Sequence, residues 1–139
     1  MKKYIAVVAP IGAGKTTLAK YFQSKGFKLY KLTYAIYDEC DRLGLDREDR
    51  TILQDIGDKL RDELGLDALA QLAIKEVNRD ADSRFIIDSI RNHNELKKLM
   101  SNMGDSLLVV AVTAPIEARY KRIIGRKGQY REDKKTFYI

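Results

Sequence analysis

The stretch APIGAGKTT, from Ala9 to Thr17, follows directly on the apolar run YIAVV at positions 4–8. A short run of this kind, rich in β-branched residues, reads as a central strand buried on both faces of a parallel sheet. The glycines then force a tight loop, and the Lys-Thr-Thr that follows opens a helix. Strand, glycine loop and helix in that order leave few architectures open. A loop that wraps polyphosphate needs glycines, so that successive backbone N–H groups can turn inward. It also needs the next helix to present its positive end to the anion. Gly12, Ala13 and Gly14 supply the loop. Lys15 is spaced to reach the β and γ phosphates of ATP, Thr16 to hold Mg2+ through its hydroxyl, and Thr17 to meet the α phosphate. Ala9 takes the first position of G-x-x-x-x-G-K-T, the last residue of the strand, where a small side chain can turn without positive φ. The competing reading, a glycine turn with no ligand, does not need the Lys-Thr-Thr run at a helix start.

The remaining pattern alternates strands with helices. Phe27–Leu32 reads as a second strand. A helix with Ile36, Cys40 and Leu43 on one face ends at Gly44. The spacing of Leu53, Ile56, Leu60 and Leu64 predicts a helix over 50–64, and Asp67 is placed to cap another carrying Leu69, Leu72, Ala73 and Val77. Arg84–Asp88 is a third strand. Asn92 and Glu95 form a capping-box pattern ahead of Leu96, Leu99, Met100 and Met103, with Gly104 as the stop. Ser106–Val112 is a fourth strand, and Pro115 opens a last helix with Ile116, Tyr120, Ile123 and Ile124 on one face. The expected fold class is α/β: a three-layer α/β/α P-loop NTPase fold with a mostly parallel sheet. With 139 residues and 45% hydrophobic content, one domain over 1–139 is expected.

Charge and cysteine content narrow the partners. A formal net charge of +6 suits an anionic ligand. The basic residues are spread along the chain without interleaved aromatics, so nucleic acid ranks last among such ligands. One cysteine, Cys40, excludes an internal disulfide and any multi-cysteine metal site, and reads as a small buried residue. No segment is long and apolar enough for a membrane span or a signal peptide, so the expectation is a cytoplasmic protein. His93, the only histidine, reads as a surface residue rather than a catalytic one.

The N-terminal third resembles the P-loop nucleotide kinases. The likeness extends through IDSIRN at 87–92 with Glu95, and through VVAVTAP at 109–115 leading to Arg119 and Arg122. Over these stretches the chain looks like the group around nucleoside monophosphate kinases and dephospho-CoA kinase, including archaeal adenylate-kinase-like proteins. The resemblance implies transfer of a phosphoryl group from ATP, with Mg2+, to a nucleotide-like small molecule, most naturally a (deoxy)nucleoside monophosphate. A hydroxyl acceptor of the dephospho-CoA type and a non-catalytic ATP-binding regulatory module are the alternatives. It also implies a helical acceptor region over about 34–80 and a lid-like segment over about 119–135. Relatives continue past the lid into a fifth strand and a final helix, so the fold is expected to be short at its C-terminus.

In that setting Asp88, at the carboxyl edge of its strand, would orient Mg2+ through water or position the acceptor; capping the next helix is the alternative. Arg91 would clamp an acceptor phosphate with paired hydrogen bonds, or stand in a surface ion pair. Arg119, Arg122 and Arg126 recur at spacings of three and four. They would serve as lid arginines that neutralise the transferring group, Arg119 also touching ATP and Arg131 in the same role, or as a solvated basic face. Thr33 falls where monophosphate kinases carry a hydroxyl, with Tyr34 after it and no arginine before Arg42. Asp38 is the nearest carboxylate able to act as base on a hydroxyl acceptor, and Arg47 and Arg50 are candidates for an acceptor phosphate; a solvated surface is the plainer reading for all three.

Overall fold

The computed structural model describes residues 2–10 and 14–125, with Arg122 and Gly125 described in their backbone alone. Four parallel strands form one sheet: β1 (Tyr4–Val8), β2 (Phe27–Lys31), β3 (Arg84–Asp88) and β4 (Leu107–Ala111), in the order β2-β3-β1-β4. Six α-helices accompany them among the described residues: α1 (Lys15–Ser24), α2 (Thr33–Leu43), α3 (Arg50–Leu64), α4 (Ala68–Asn78), α5 (His93–Met103) and α6 (Ile116–Gly125).

The two-residue period of a strand separates two cores. Ile5 and Val7 of β1, with Ile86 of β3 and Phe27 of β2, point to the face covered by Ala19, Leu18 and Phe22 of α1. Tyr4 and Ala6, with Phe85 and Ile87, point to the opposite face, where α2 to α5 supply Ile36, Leu60, Leu69, Ala73 and Leu99. The result is the three-layer arrangement that the alternating pattern predicts. Ala6, Ile86 and Ile87 have no exposed surface at all, as expected for strands closed on both sides.

Local signals set the helix ends. Asp49 caps α3 by accepting from the N–H groups of Thr51 at 2.9 Å and Ile52 at 3.3 Å. Gly44 closes α2 with φ 69°, a left-handed conformation that favours glycine. Asp67 does precede α4, yet its carboxylate makes no capping bond and accepts instead from Gln71 Nε2 at 2.6 Å.

Three expected apolar stripes are only partly buried. Ile56 and Leu60 are inside while Leu64 is exposed, Leu99 and Met103 are inside while Met100 is exposed, and Ile123 is inside while Ile116 and Ile124 are exposed. For α6 the reason lies in position. It follows β4, one of the two edge strands among those described, whose own Leu108 and Val109 are exposed, so among the described residues an apolar face there has little to pack against. No helix among the described residues is long and apolar enough to cross a membrane.

Candidate functional site

The carboxyl ends of β1, β2 and β3 converge on one edge of the sheet. From β1 the chain passes through Ala9 into α1, and Ser89 is the only non-glycine residue described with positive φ, so Ala9 turns without strain. Gly14 stands at the N-cap of α1 with φ 94° and ψ 20°, a conformation costly for any residue with a Cβ. The first turn of α1 is Lys15, Thr16 and Thr17. Among the described residues no side chain caps it and no acid stands in it, which leaves its N–H groups and positive end to a ligand. An anionic ligand fits there, and the threonines are exposed to meet one. Gly12, Ala13, Arg126 and Arg131 lie outside the described residues.

Across the sheet edge, Asp88 closes β3 and is 6% exposed. Its Oδ1 lies 3.5 Å from Lys15 Nζ and accepts the Ser89 N–H at 2.7 Å. Burial pulls the Lys15 ammonium below its ordinary 10.5; Asp88 opposes that shift, while the neighbouring charges of Arg91 and Lys31 add to it. Three cations are therefore gathered around one carboxylate, a surplus suited to a polyanion. Among the described residues no three His, Cys, Asp or Glu side chains cluster to hold a metal. A divalent cation here would be held as Mg2+ commonly is, by one hydroxyl, such as Thr16, together with phosphate oxygens and water.

Beyond Asp88 the chain turns through Ser89, whose φ is 65° although it carries a side chain. This turn delivers Arg91 and Asn92 to a cavity of about 620 Å³ between α2, α3 and the loop after β3, also lined by Thr33, Arg50, Gln54 and Arg61. An overlapping cavity of about 640 Å³ runs to Lys31, Tyr37 and Arg47 and shares Thr33, Arg50, Ser89 and Arg91, so the two form one cleft. Arg47 lies over the Tyr37 ring, 4.6 Å from its centroid.

Asp38 is not part of this cleft. It lines a separate cavity with Tyr30, Tyr34 and Glu76, where burial, with the charges of Asp38 and Glu76, pushes the Tyr30 hydroxyl up to about 12. Arg42 is engaged by Glu39 at 2.8 and 2.5 Å. Cys40 is fully buried, and burial raises its thiol. His93 is exposed in the first turn of α5. Arg119 is half-buried on α6, past β4 and so two strands from β3, and Arg122 lies on the same helix.

Two residues escape a reading of the sequence alone. Glu95, expected as half of a capping box and as part of the stretch resembling the kinases, has no exposed surface. Asn92 Oδ1 does accept the Glu95 N–H at 2.9 Å, but the returning carboxylate accepts from the Arg91 N–H at 2.8 Å and from Asn92 Nδ2 at 3.2 Å. Arg61 Nη2 completes the group, 3.2 Å from Glu95 Oε1. The signal for Arg61 was its spacing: it stands eight residues after Leu53 and four after Gly57, a charge on the inward face of an amphipathic helix.

The AAA domain family matches residues 5–137 of the chain. The chain belongs to this family. A UPF0200 protein of Saccharolobus islandicus is 28% identical over 124 residues, covering 89% of the chain and 64% of the relative's own length. A UPF0200/UPF0201 protein of Archaeoglobus fulgidus is 28% identical over 127 residues, 90% of the chain and 39% of that relative. The chain thus spans less than two thirds of the length of these relatives. Among solved structures, TT1252 from Thermus thermophilus superposes with a TM-score of 0.63 at 19% identity, over 99% of this chain and 78% of that one. A shikimate kinase from Bacteroides thetaiotaomicron does so with a TM-score of 0.50 at 18% identity, over 91% and 65%. At such identities the likeness shows the fold alone, one shared with that shikimate kinase.

Proposed function

We propose that this member of the AAA domain family transfers the γ phosphoryl group of ATP to a (deoxy)nucleoside monophosphate. The observation that carries the reading is the cleft at the carboxyl edge of the sheet lined by Arg50, Arg61, Ser89 and Arg91, where Ser89 directly follows Asp88, the partner of Lys15 at 3.5 Å. The uncapped first turn of α1 would bind the donor phosphates through its N–H groups, with Gly12, Ala13 and Gly14 as the loop and Thr17 beside them. Mg2+, when held by Thr16 with Asp88 in its outer shell, would supply charge neutralisation between the β and γ phosphates.

Lys15, already short of counter-charge, would follow the γ phosphate. Arg91 would orient the acceptor phosphate so that one of its oxygens forms the new bond to phosphorus while the bond to the β,γ-bridging oxygen breaks, giving ADP and a nucleoside diphosphate. A phosphate oxygen is nucleophilic without a base. That agrees with the position of Asp38, which lies in another cavity and is not available to deprotonate a hydroxyl acceptor. Arg119, Arg122 and Arg126 would add charge stabilisation from the far side of the phosphates.

The test is transfer of labelled γ phosphate from Mg-ATP across a panel of ribo- and deoxynucleoside monophosphates, dephospho-CoA and nucleosides, with Lys15→Ala as the blank. A labelled nucleoside diphosphate that requires Lys15 is the expected product. Transfer to hydroxyl acceptors alone, or none at all, overturns the reading.

A further inference from the structure

We infer that Arg61 is a direct contact for the acceptor phosphate and that Glu95 is the positioning residue that holds both Arg61 and the Arg91 loop in place; this rests on the function proposed above. All the charged residues lining the inner cavity, Arg50, Arg61 and Arg91, are arginines. The overlapping outer cavity adds Lys31 and Arg47 with one carboxylate, Glu48, so cations outnumber acids across the cleft, which suits a ligand carrying two or more negative charges at one end, as a phosphate monoester does.

Arg61 is not a surface cation that happens to face inward. It is pinned by a carboxylate with no solvent exposure, while its own side chain keeps 23% exposure. The protein also leaves its guanidinium incompletely satisfied: Nη2 bonds to Glu95, and Nε is buried without a hydrogen-bond partner among the described residues. An arginine present only to neutralise Glu95 would be expected to have its other donors matched by the protein.

Gly57, one helical turn before Arg61, supplies an independent observation. A Cβ there would stand 3.3 Å from Arg61 Nη1 and 3.3 Å from Ile36 Cδ1. Glycine inside a helix is unfavourable relative to alanine, and here it leaves room for the guanidinium to lie against α3. Glu95 meanwhile accepts the backbone N–H of Arg91, and Asn92 Nδ2 reaches Leu66 O at 3.2 Å, between α3 and α4. One buried carboxylate therefore sets the spacing between the two arginines and ties the loop after β3 to the helices that wall the cleft.

The experiment uses the double variant Arg61→Met/Glu95→Gln, which removes both charges together and leaves neither buried alone. Melting temperature, the KM for Mg-ATP and the KM for the nucleoside monophosphate that yields product are measured beside the wild type, with Lys15→Ala as the blank. The expected result is a melting temperature within a few degrees of the wild type, an Mg-ATP KM within about twofold, and an acceptor KM raised at least about tenfold. A folded double variant with the wild-type acceptor KM overturns the inference, because removing both partners of a purely structural ion pair strands no charge and loses no ligand contact. Arg61→Lys keeps a cation beside Glu95 but loses the fork; it should raise the acceptor KM severalfold with the fold intact, and it decides the question if the double variant does not fold. Absence of any Lys15-dependent product in the wild type takes down the proposed function and this inference with it, whereas product formation with an unchanged acceptor KM takes down the inference alone.

Discussion

Lys15 and Asp88 meet at the ends of β1 and β3 through short, contiguous segments, whereas the cleft beside them draws Thr33 from α2, Arg50 and Arg61 from α3, and Arg91 from the loop after β3. On the loop side the proposed groups are the N–H donors and the one lysine at the start of α1, a few positions after β1 in the chain. On the helical side the groups are side chains from different elements, and Glu95 anchors two of them, through the Arg61 guanidinium and the Arg91 backbone N–H. A site made of backbone tolerates changes around it as long as its glycines and lysine remain. A site made of aimed side chains depends on buried partners that never touch a ligand.

That contrast can be broken most sharply at Lys15. Lys15→Ala is expected to lower phosphoryl transfer by about three orders of magnitude or more, the scale of a lost phosphate clamp at a transition state, with the far-UV circular dichroism unchanged. The fold should not suffer at neutral pH, because Lys15 titrates lower folded than unfolded. Its protonated form then opposes folding, and stability rises as pH climbs from the folded value toward 10.5. A variant that keeps turnover, or one that unfolds, would erase the distinction.

Arg61→Met tests the other side and should behave oppositely. It strands the fully buried Glu95 carboxylate, which costs about 3–5 kcal/mol by the usual measure of a broken buried pair, read from urea unfolding. Loss of less than about 1 kcal/mol, the worth of an exposed pair, would mean that the cleft is not braced through Glu95.

Arg91→Ala sharpens the comparison within the cleft. The acceptor KM should rise about tenfold, the effect of roughly 1.4 kcal/mol of lost binding, while the KM for ATP stays nearly constant. An equal rise in both would move Arg91 to the donor.

The smallest effect concerns the outer wall, where Glu39 of α2 pairs with Arg42 on its own helix and reaches Lys59 of α3 at 3.2 Å. The Arg42 hydrogen bonds, helped by Lys59, hold the Glu39 carboxyl down at about 2 against an ordinary 4.5. A folded-state value below the unfolded one gives stability that is present above 4.5 and lost as pH falls toward 2. Glu39→Gln should flatten the pH dependence of unfolding in that window by less than about 1 kcal/mol, as for partly exposed pairs.

The strands and the helix over 50–64 were legible because period-two and period-3.6 patterns are local properties, and Gly44 and Asn92 mark ends with their own backbone or side chain, whereas the capping role of Asp49 was not read and that expected of Asp67 is absent. The exposed outcomes at Leu64, Met100, Ile116 and Ile124 were not legible, since a stripe indicates which residues share a face and not how far the neighbouring layer extends.

The order β2-β3-β1-β4 brings Asp88 to Lys15 across 73 positions of chain, and Arg61 to Glu95 across 34. By itself the sequence determined an α/β chain with a phosphate-type loop after its first strand, because that motif is continuous and its chemistry is mostly backbone. Only the tertiary structure decided which arginines share a cavity, that Asp38 is excluded from it, and that Glu95 is fully buried. Those are relations between side chains on different elements, set by sheet order and by how the helices pack upon it.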